Sequence, residues 1–122
     1  MNEELTVLVA DDEPELLQAV CQLIDWQALG FRLVGRASNG LDALLLVEEL
    51  QPHFLLTDIR MPFISGTALT RQAKAVQPLL QVAFLSGYDD FEYAKSGIED
   101  GIVAYLLKPI SMTELTAELE KI

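Results

Sequence analysis

The sequence predicts one α/β domain over residues 1–122, a doubly wound three-layer sandwich of five β–α units, (βα)5. Five short apolar runs alternate with longer segments in which apolar residues recur at helical spacing. Most of the runs are too apolar throughout for strands with one face in water, which indicates a parallel sheet covered by helices on both sides. The chain is 51% hydrophobic, which is enough to build such a core.

The five apolar runs are the predicted strands, and all of them are short. In chain order they are β1 (5–10), β2 (31–37), β3 (54–57), β4 (81–85) and β5 (103–107). Short strands that alternate with helices imply parallel pairing through right-handed crossovers. We expect the strand order 2-1-3-4-5, which is one of the common orders of doubly wound sheets.

The segments between the strands predict five helices: α1 (16–24), α2 (41–47), α3 (66–76), α4 (89–101) and α5 (111–122). Most of them begin after residues that cap helix N-termini well. The predicted caps are Asn39 for α2, Ser65 for α3, Asp89 with Glu92 for α4, and Ser111 with Glu114 for α5. Gly101 ends α4, as glycine often does.

Polar side chains lie where the predicted strands end. Asp11 and Asp12 end β1, Asp58 ends β3, Ser86 ends β4, and Lys108 follows β5. The carboxyl ends of parallel strands share one edge of the sheet, and ligands bind there at the point where the strand order reverses. With the expected order this point lies between β1 and β3, so the sequence predicts one pocket that contains all five side chains.

Three carboxylates in one pocket repel one another, and a divalent cation such as Mg²⁺ removes the conflict. Lys108 adds a mobile positive charge, and Ser86 adds a hydroxyl donor. Such a set can position a phosphoryl group and neutralise it during transfer. Taken alone, the pair Asp11-Asp12 is more often a turn with a helix cap, and Lys108 could be a solvated loop residue. The joint placement of these side chains at the strand ends is what favours a site.

Four motifs resemble those of the response regulator receiver domain of bacterial two-component systems, whose fold is flavodoxin-like. They are VADDEP (9–14), TDIRMP (57–62), LSG (85–87) and LKP (107–109). The resemblance covers essentially the whole chain. It implies a phosphorylation-dependent signalling domain that catalyses only its own phosphorylation and dephosphorylation, and so is not an enzyme in the usual sense.

The resemblance also implies a role for each site residue. Asp58 is the expected phosphoacceptor, and it binds Mg²⁺, or Mn²⁺ as a substitute, together with Asp12 and the backbone carbonyl of Arg60. Asp11 is the expected partner of the metal through bound water.

The remaining roles concern the phosphoryl group and the switch. Ser86 and Lys108 are expected to contact phosphoryl oxygens, and the peptide bond between Lys108 and Pro109 is expected to be cis. Tyr105 matches the aromatic residue that turns inward when Ser86 moves. This motion would alter the face formed by α4, β5 and α5, through which a homodimer could form.

Two further stretches resemble receivers that precede an AraC-type helix-turn-helix domain: IDWQALGF (24–31) and SGYDDFEYAK (86–95). The expected partners are therefore a sensor histidine kinase and, through that output domain, DNA. No output domain follows in this sequence, so the chain could be an excised fragment of a longer regulator.

Composition limits the other classes. The net charge is −11 with only eight Lys and Arg, so we expect no nucleic acid binding by this domain itself. It has neither a membrane-spanning run nor a signal peptide, which predicts no membrane association and a cytoplasmic location. Three alternatives remain at this point: an FMN-binding protein of the same architecture, a phosphatase with an aspartyl nucleophile, and a receiver that never takes phosphate.

Overall fold

The computed structural model describes residues 4–87 and 101–122. They form five strands and four helices. The elements are β1 (Leu5–Ala10), α1 (Pro14–Leu23), β2 (Phe31–Ala37), α2 (Gly40–Leu50), β3 (Phe54–Thr57), α3 (Gly66–Val76), β4 (Gln81–Ser86), β5 (Ala104–Leu107) and α5 (Met112–Glu120). The prediction of α4 falls almost wholly on 88–100, outside the described residues.

All five strands are parallel, and their order is β2-β1-β3-β4-β5. The predicted flavodoxin-like doubly wound sheet is therefore confirmed. The register between β1 and β2 shifts between Val7 and Leu8, which marks an irregularity next to the outermost strand, β2. The pairs Ala10 with Thr57 and Ser86 with Leu107 bring the carboxyl ends of the strands to one edge.

The core has two layers because successive strand residues point to opposite faces. On β1, Val7 and Val9 belong to the cluster that includes residues of α1 and α5, whereas Leu8 and Ala10 belong to the cluster that includes residues of α2 and α3. Both faces of the sheet are thus covered by helices, which explains why the strands read as nearly continuous apolar runs.

The predicted caps that lie in the described residues are confirmed. The side chains of Asn39 and Ser65 accept hydrogen bonds from the backbone N–H groups of the first turns of α2 and α3. Ser111 and Glu114 form a reciprocal capping box at the start of α5. Among the described residues, none of the helices has the length and apolar character that a membrane-spanning segment requires.

Candidate functional site

Three aspartates meet where β1 and β3 end. Asp11, Asp12 and Asp58 each offer a carboxylate oxygen, and these oxygens lie within 4.8 Å of one another. They meet because Ala10 pairs with Thr57, so the residues that follow both strands are neighbours. Asp11 and Asp58 are buried, whereas Asp12 is exposed. The predicted convergence of acids from two strands is confirmed.

Lys108 reaches into this acidic pocket from the end of β5. Its Nζ lies 3.0 Å from Oδ2 of Asp11 and 3.0 Å from Oδ2 of Asp58. It also lies 3.2 Å from Oε2 of Glu13, a contact that the sequence did not predict. The backbone N–H of Lys108 donates to the carbonyl of Ser86 at 2.7 Å, which fixes the end of β5 against the end of β4.

The second oxygen of each buried acid is held by the backbone. Oδ1 of Asp58 accepts a hydrogen bond from the N–H of Ile59 at 2.7 Å. Oδ1 of Asp11 accepts from the N–H of Glu13 at 2.9 Å. Both carboxylates are therefore fixed at one oxygen by their own chain, while the other oxygen faces the lysine.

Burial dominates the electrostatics of the pocket. It raises the pKa of Asp11 to about 6, although the N–H of Glu13 and the Lys108 ammonium lower it. Burial also raises the pKa of Asp58, with Lys108 again opposing. Burial lowers the pKa of Lys108, but the carboxylates of Asp11 and Asp58 outweigh it and hold the pKa above its ordinary value. The pocket therefore contains more carboxylate charge than the single ammonium of Lys108 can neutralise.

This donor set fits Mg²⁺. Hard carboxylate oxygens, few in number and close together, are what Mg²⁺ takes from proteins when it keeps several waters. The exposure of Asp12 leaves one side of the cluster open to solvent.

Two glycines that were not among the predicted site residues let α2 and α3 begin close to the loop that follows Asp58. A Cβ on Gly66 would overlap the carbonyl oxygen of Asp58 and lie 2.9 Å from Cα of Ile59. A Cβ on Gly40 would lie 2.8 Å from Cβ of Ile64. Their position directly after the caps of α3 and α2 is the one signal in the sequence that marks them.

The predicted switch residues lie on the neighbouring strands β4 and β5. Ser86 is fully buried at the end of β4, and Tyr105 is half-buried in β5. The Tyr105 hydroxyl donates to the carbonyl of Gly87 at 3.4 Å. Arg60 is exposed in the loop after Asp58, and the role of its carbonyl stays a prediction. The peptide bond between Lys108 and Pro109 is cis, as the resemblance implied.

A parallel sheet with acids at its switch point and a lysine after its last strand is the arrangement expected of a receiver domain. Residues 7–120 match the family described as response regulator receiver domain, and the chain belongs to that family. Receivers are signalling domains rather than ordinary enzymes, so membership argues against the FMN protein and the phosphatase.

Relatives of known sequence and structure agree. The chain is 40% identical over 116 residues to the uncharacterized transcriptional regulatory protein YesN of Bacillus subtilis, covering 95% of this chain but 32% of that protein. The receiver domain of AraT from Geobacillus stearothermophilus matches with a TM-score of 0.88 and 30% identity over 98% of this chain and 95% of that one. A two-component transcriptional regulator AraC from Clostridium phytofermentans matches with a TM-score of 0.87 and 34% identity over 97% of this chain and 92% of that one. Regulators of the LuxR family are also similar, so the comparisons do not single out one type of output domain.

Proposed function

We propose that Asp58 accepts a phosphoryl group from a sensor histidine kinase in the cytoplasm, with Mg²⁺, and that this controls the output of a transcriptional regulator. One observation carries the proposal: three carboxylates converge within 4.8 Å, and Nζ of Lys108 lies 3.0 Å from Oδ2 of Asp58.

Oδ2 is the oxygen of Asp58 that suits attack. Oδ1 is engaged by the N–H of Ile59, whereas Oδ2 faces the pocket and the ammonium of Lys108. In the transfer, the bond between Oδ2 and phosphorus forms and the bond between phosphorus and the donor nitrogen breaks. The donor imidazole keeps the electron pair of the broken bond. Lys108 remains beside the phosphoryl oxygens and offsets their charge.

The metal ligands in this proposal are Asp12, Asp58 and the carbonyl of Arg60, with Asp11 acting through water and Mn²⁺ able to substitute. When bound, the ion neutralises charge on the carboxylates and the phosphoryl oxygens. The raised pKa values of the buried acids support this assignment, because a cation relieves the cost of ionising them.

Signalling in this proposal uses Ser86 and Tyr105. Ser86 donates to a phosphoryl oxygen, Tyr105 turns inward, and the face formed by α4, β5 and α5 changes its partner, including a second copy of the chain. The hydrogen bond from Tyr105 to the carbonyl of Gly87, next to Ser86, supports the coupling.

The proposed output domain is of the AraC helix-turn-helix type. The stretches 24–31 and 86–95 support this choice, as does the 34% identity to a regulator described as AraC. The proposal makes residues 1–122 the receiver part of a longer protein, and the chain spans 32% of YesN and 45% of HptR of Staphylococcus aureus.

Phosphorylation is tested with a small donor. The chain is incubated with phosphoramidate and MgCl₂, and its intact mass is measured. We expect a gain of one phosphoryl group, none in Asp58→Asn, and none with EDTA. Asp25→Asn makes the same change in the exposed loop before β2, at the amino ends of the strands, and should be labelled normally. An unchanged mass, or a gain that survives Asp58→Asn, contradicts the proposal.

A further inference from the structure

Phe63 is an exposed aromatic side chain on a strained backbone. Its φ is 71°, in the left-handed region that bulky residues rarely adopt and glycine adopts easily. Its side chain is 81% exposed, so no packing within the described residues explains why a large ring is there. The backbone conformation and the exposure of this ring both cost free energy, which points to a role in binding another molecule rather than in stabilising the fold.

The neighbours of Phe63, rather than its ring, set this conformation. The N–H of Ile64 donates to the carbonyl of Pro62 at 2.9 Å, which closes a γ-turn centred on Phe63. The N–H of Gly40 donates to the same carbonyl at 3.2 Å. Met61 and Ile64 pack against the core on either side. The turn is therefore fixed before any partner arrives, and it presents the ring to solvent.

The turn lies close to the phosphoacceptor. The N–H of Gly66 donates to the carbonyl of Ile59 at 2.6 Å, so the loop 59–66 starts and ends beside Asp58 and has Phe63 near its tip. Gly66 lies against the carbonyl of Asp58, and chain length limits the Cα atoms of Phe63 and Gly66 to at most about 11 Å apart. A standard interface covers about 800 Å² on each partner, which is a disc of about 16 Å radius.

An interface of that size, centred on Asp58 by a protein that brings a phosphohistidine to it, therefore reaches Phe63. We propose that Phe63 is a specificity contact for that donor protein, inserting its ring into an apolar pocket on the donor. This inference rests on the proposed function. The exposed acids Asp12 and Glu13 at the same edge give a donor charge to recognise, and Phe63 adds an apolar contact that distinguishes donors of similar charge.

The test compares a protein donor with a small donor. A panel of sensor kinase catalytic cores is autophosphorylated with radiolabelled ATP, and the core that transfers fastest to the unaltered chain is chosen. Phe63→Gly should slow that transfer about tenfold or more, the effect of a contact of about 1.4 kcal/mol. Phe63→Tyr should transfer within about twofold of the unaltered chain, since an aromatic anchor is retained.

Two controls separate this role from others. Leu79→Gly removes an equally exposed apolar side chain, 86% exposed, from the opposite edge of the sheet and should transfer normally. Phosphoramidate should label all four proteins at equal rates, because a small donor does not reach Phe63.

Several results would overturn the inference. One is equal kinase transfer to the unaltered chain and Phe63→Gly; another is equal slowing with phosphoramidate, which would place the defect at Asp58. A difference in sedimentation between these two proteins would assign the ring to self-association instead. Labelling by phosphoramidate without transfer from any kinase would remove the donor and the inference with it. Failure of phosphoramidate on the unaltered chain is a different outcome, because it defeats the proposed function itself.

Discussion

Asp11→Asn should stabilise the metal-free protein at neutral pH. Asp11 is 3% exposed, and burial raises its pKa from 3.8 to about 6. Asparagine has nearly the same size and can still accept the hydrogen bond from the N–H of Glu13 at 2.9 Å. The substitution removes the charge of a buried carboxylate together with its ion pair to Nζ of Lys108 at 3.0 Å, and that pair is already counted in the pKa of about 6.

The expected size and pH range follow from that shift. The folded protein holds the Asp11 proton to higher pH than the unfolded chain, so it binds more protons between pH 3.8 and about 6. The free energy of unfolding then falls as pH rises through this window, and the loss is complete above it. At about 1.4 kcal/mol per pH unit, the loss is about 3 kcal/mol. Asp11→Asn should recover it at pH 7 and show no advantage at pH 3.5.

Urea unfolding in EDTA measures this difference through Trp26. It is the single tryptophan, it is buried, and its Nε1 donates to the carbonyl of Val20 at 3.1 Å. Asp25→Asn, exposed in the loop between α1 and β2, is the matched control and should reproduce the unaltered curve. An Asp11→Asn protein that is no more stable than the unaltered one at pH 7, or that keeps the same advantage at pH 3.5, would contradict this prediction.

Four more predictions follow from the same pocket and loop. Mg²⁺ at about a hundred times its dissociation constant should raise the free energy of unfolding by about 2.7 kcal/mol at pH 7. The gain should shrink as the pH falls through about 6, where Asp11 takes up its proton, and a pH-independent gain in urea titrations would contradict this. Lys108→Gln leaves the buried acids without their ammonium and should destabilise the metal-free protein by about 3 kcal/mol. The same titrations should show that Mg²⁺ restores part of this lost stability, and an unchanged stability in EDTA would count against the ion pairs. Gly66→Ala places a Cβ 2.9 Å from Cα of Ile59, so it should lower the free energy of unfolding by about 3 kcal/mol and slow phosphoramidate labelling. An unchanged Tm would show that the loop has room for the methyl group. Phe63→Gly relieves the left-handed strain, partly offset by the greater freedom of glycine in the unfolded chain, and should raise stability by about 1 kcal/mol in thermal unfolding; a lower Tm would show that the ring packs.

The sequence predicts the fold and the pocket because both follow from periodicity. Uniformly apolar strands imply a parallel sheet, and a parallel sheet places every strand end at one edge. Asp11, Asp58 and Lys108 are far apart in sequence, yet topology alone brings them together. The bounds were less accurate: β4 extends to Ser86 and β5 begins at Ala104. Hydrogen bonding to the neighbouring strand decides such ends, and a single sequence does not show it.

Side-chain detail in the loops was not predictable in the same way. The contact of Lys108 with Glu13 and the close approach of Gly66 to Asp58 depend on the path of the backbone between elements. The left-handed turn at Phe63 is the clearest case, since residue type there predicts the opposite conformation. Local preference is overridden where tertiary contacts fix the chain, here at Pro62 and Ile64.

The position of Lys108 links Asp58 to the ends of β4 and β5. Its Nζ contacts Oδ2 of Asp58, the atom that bonds to phosphorus in the proposed reaction, so phosphorylation must replace this contact with one to a phosphoryl oxygen. Its backbone N–H donates to the carbonyl of Ser86, and the Tyr105 hydroxyl donates to the next carbonyl along the chain, that of Gly87. Any shift of the lysine therefore bears on the ends of β4 and β5 together. Because the ammonium of Lys108 contacts Asp58 while its backbone N–H holds the end of β4, we expect the pocket and the ends of β4 and β5 to respond together.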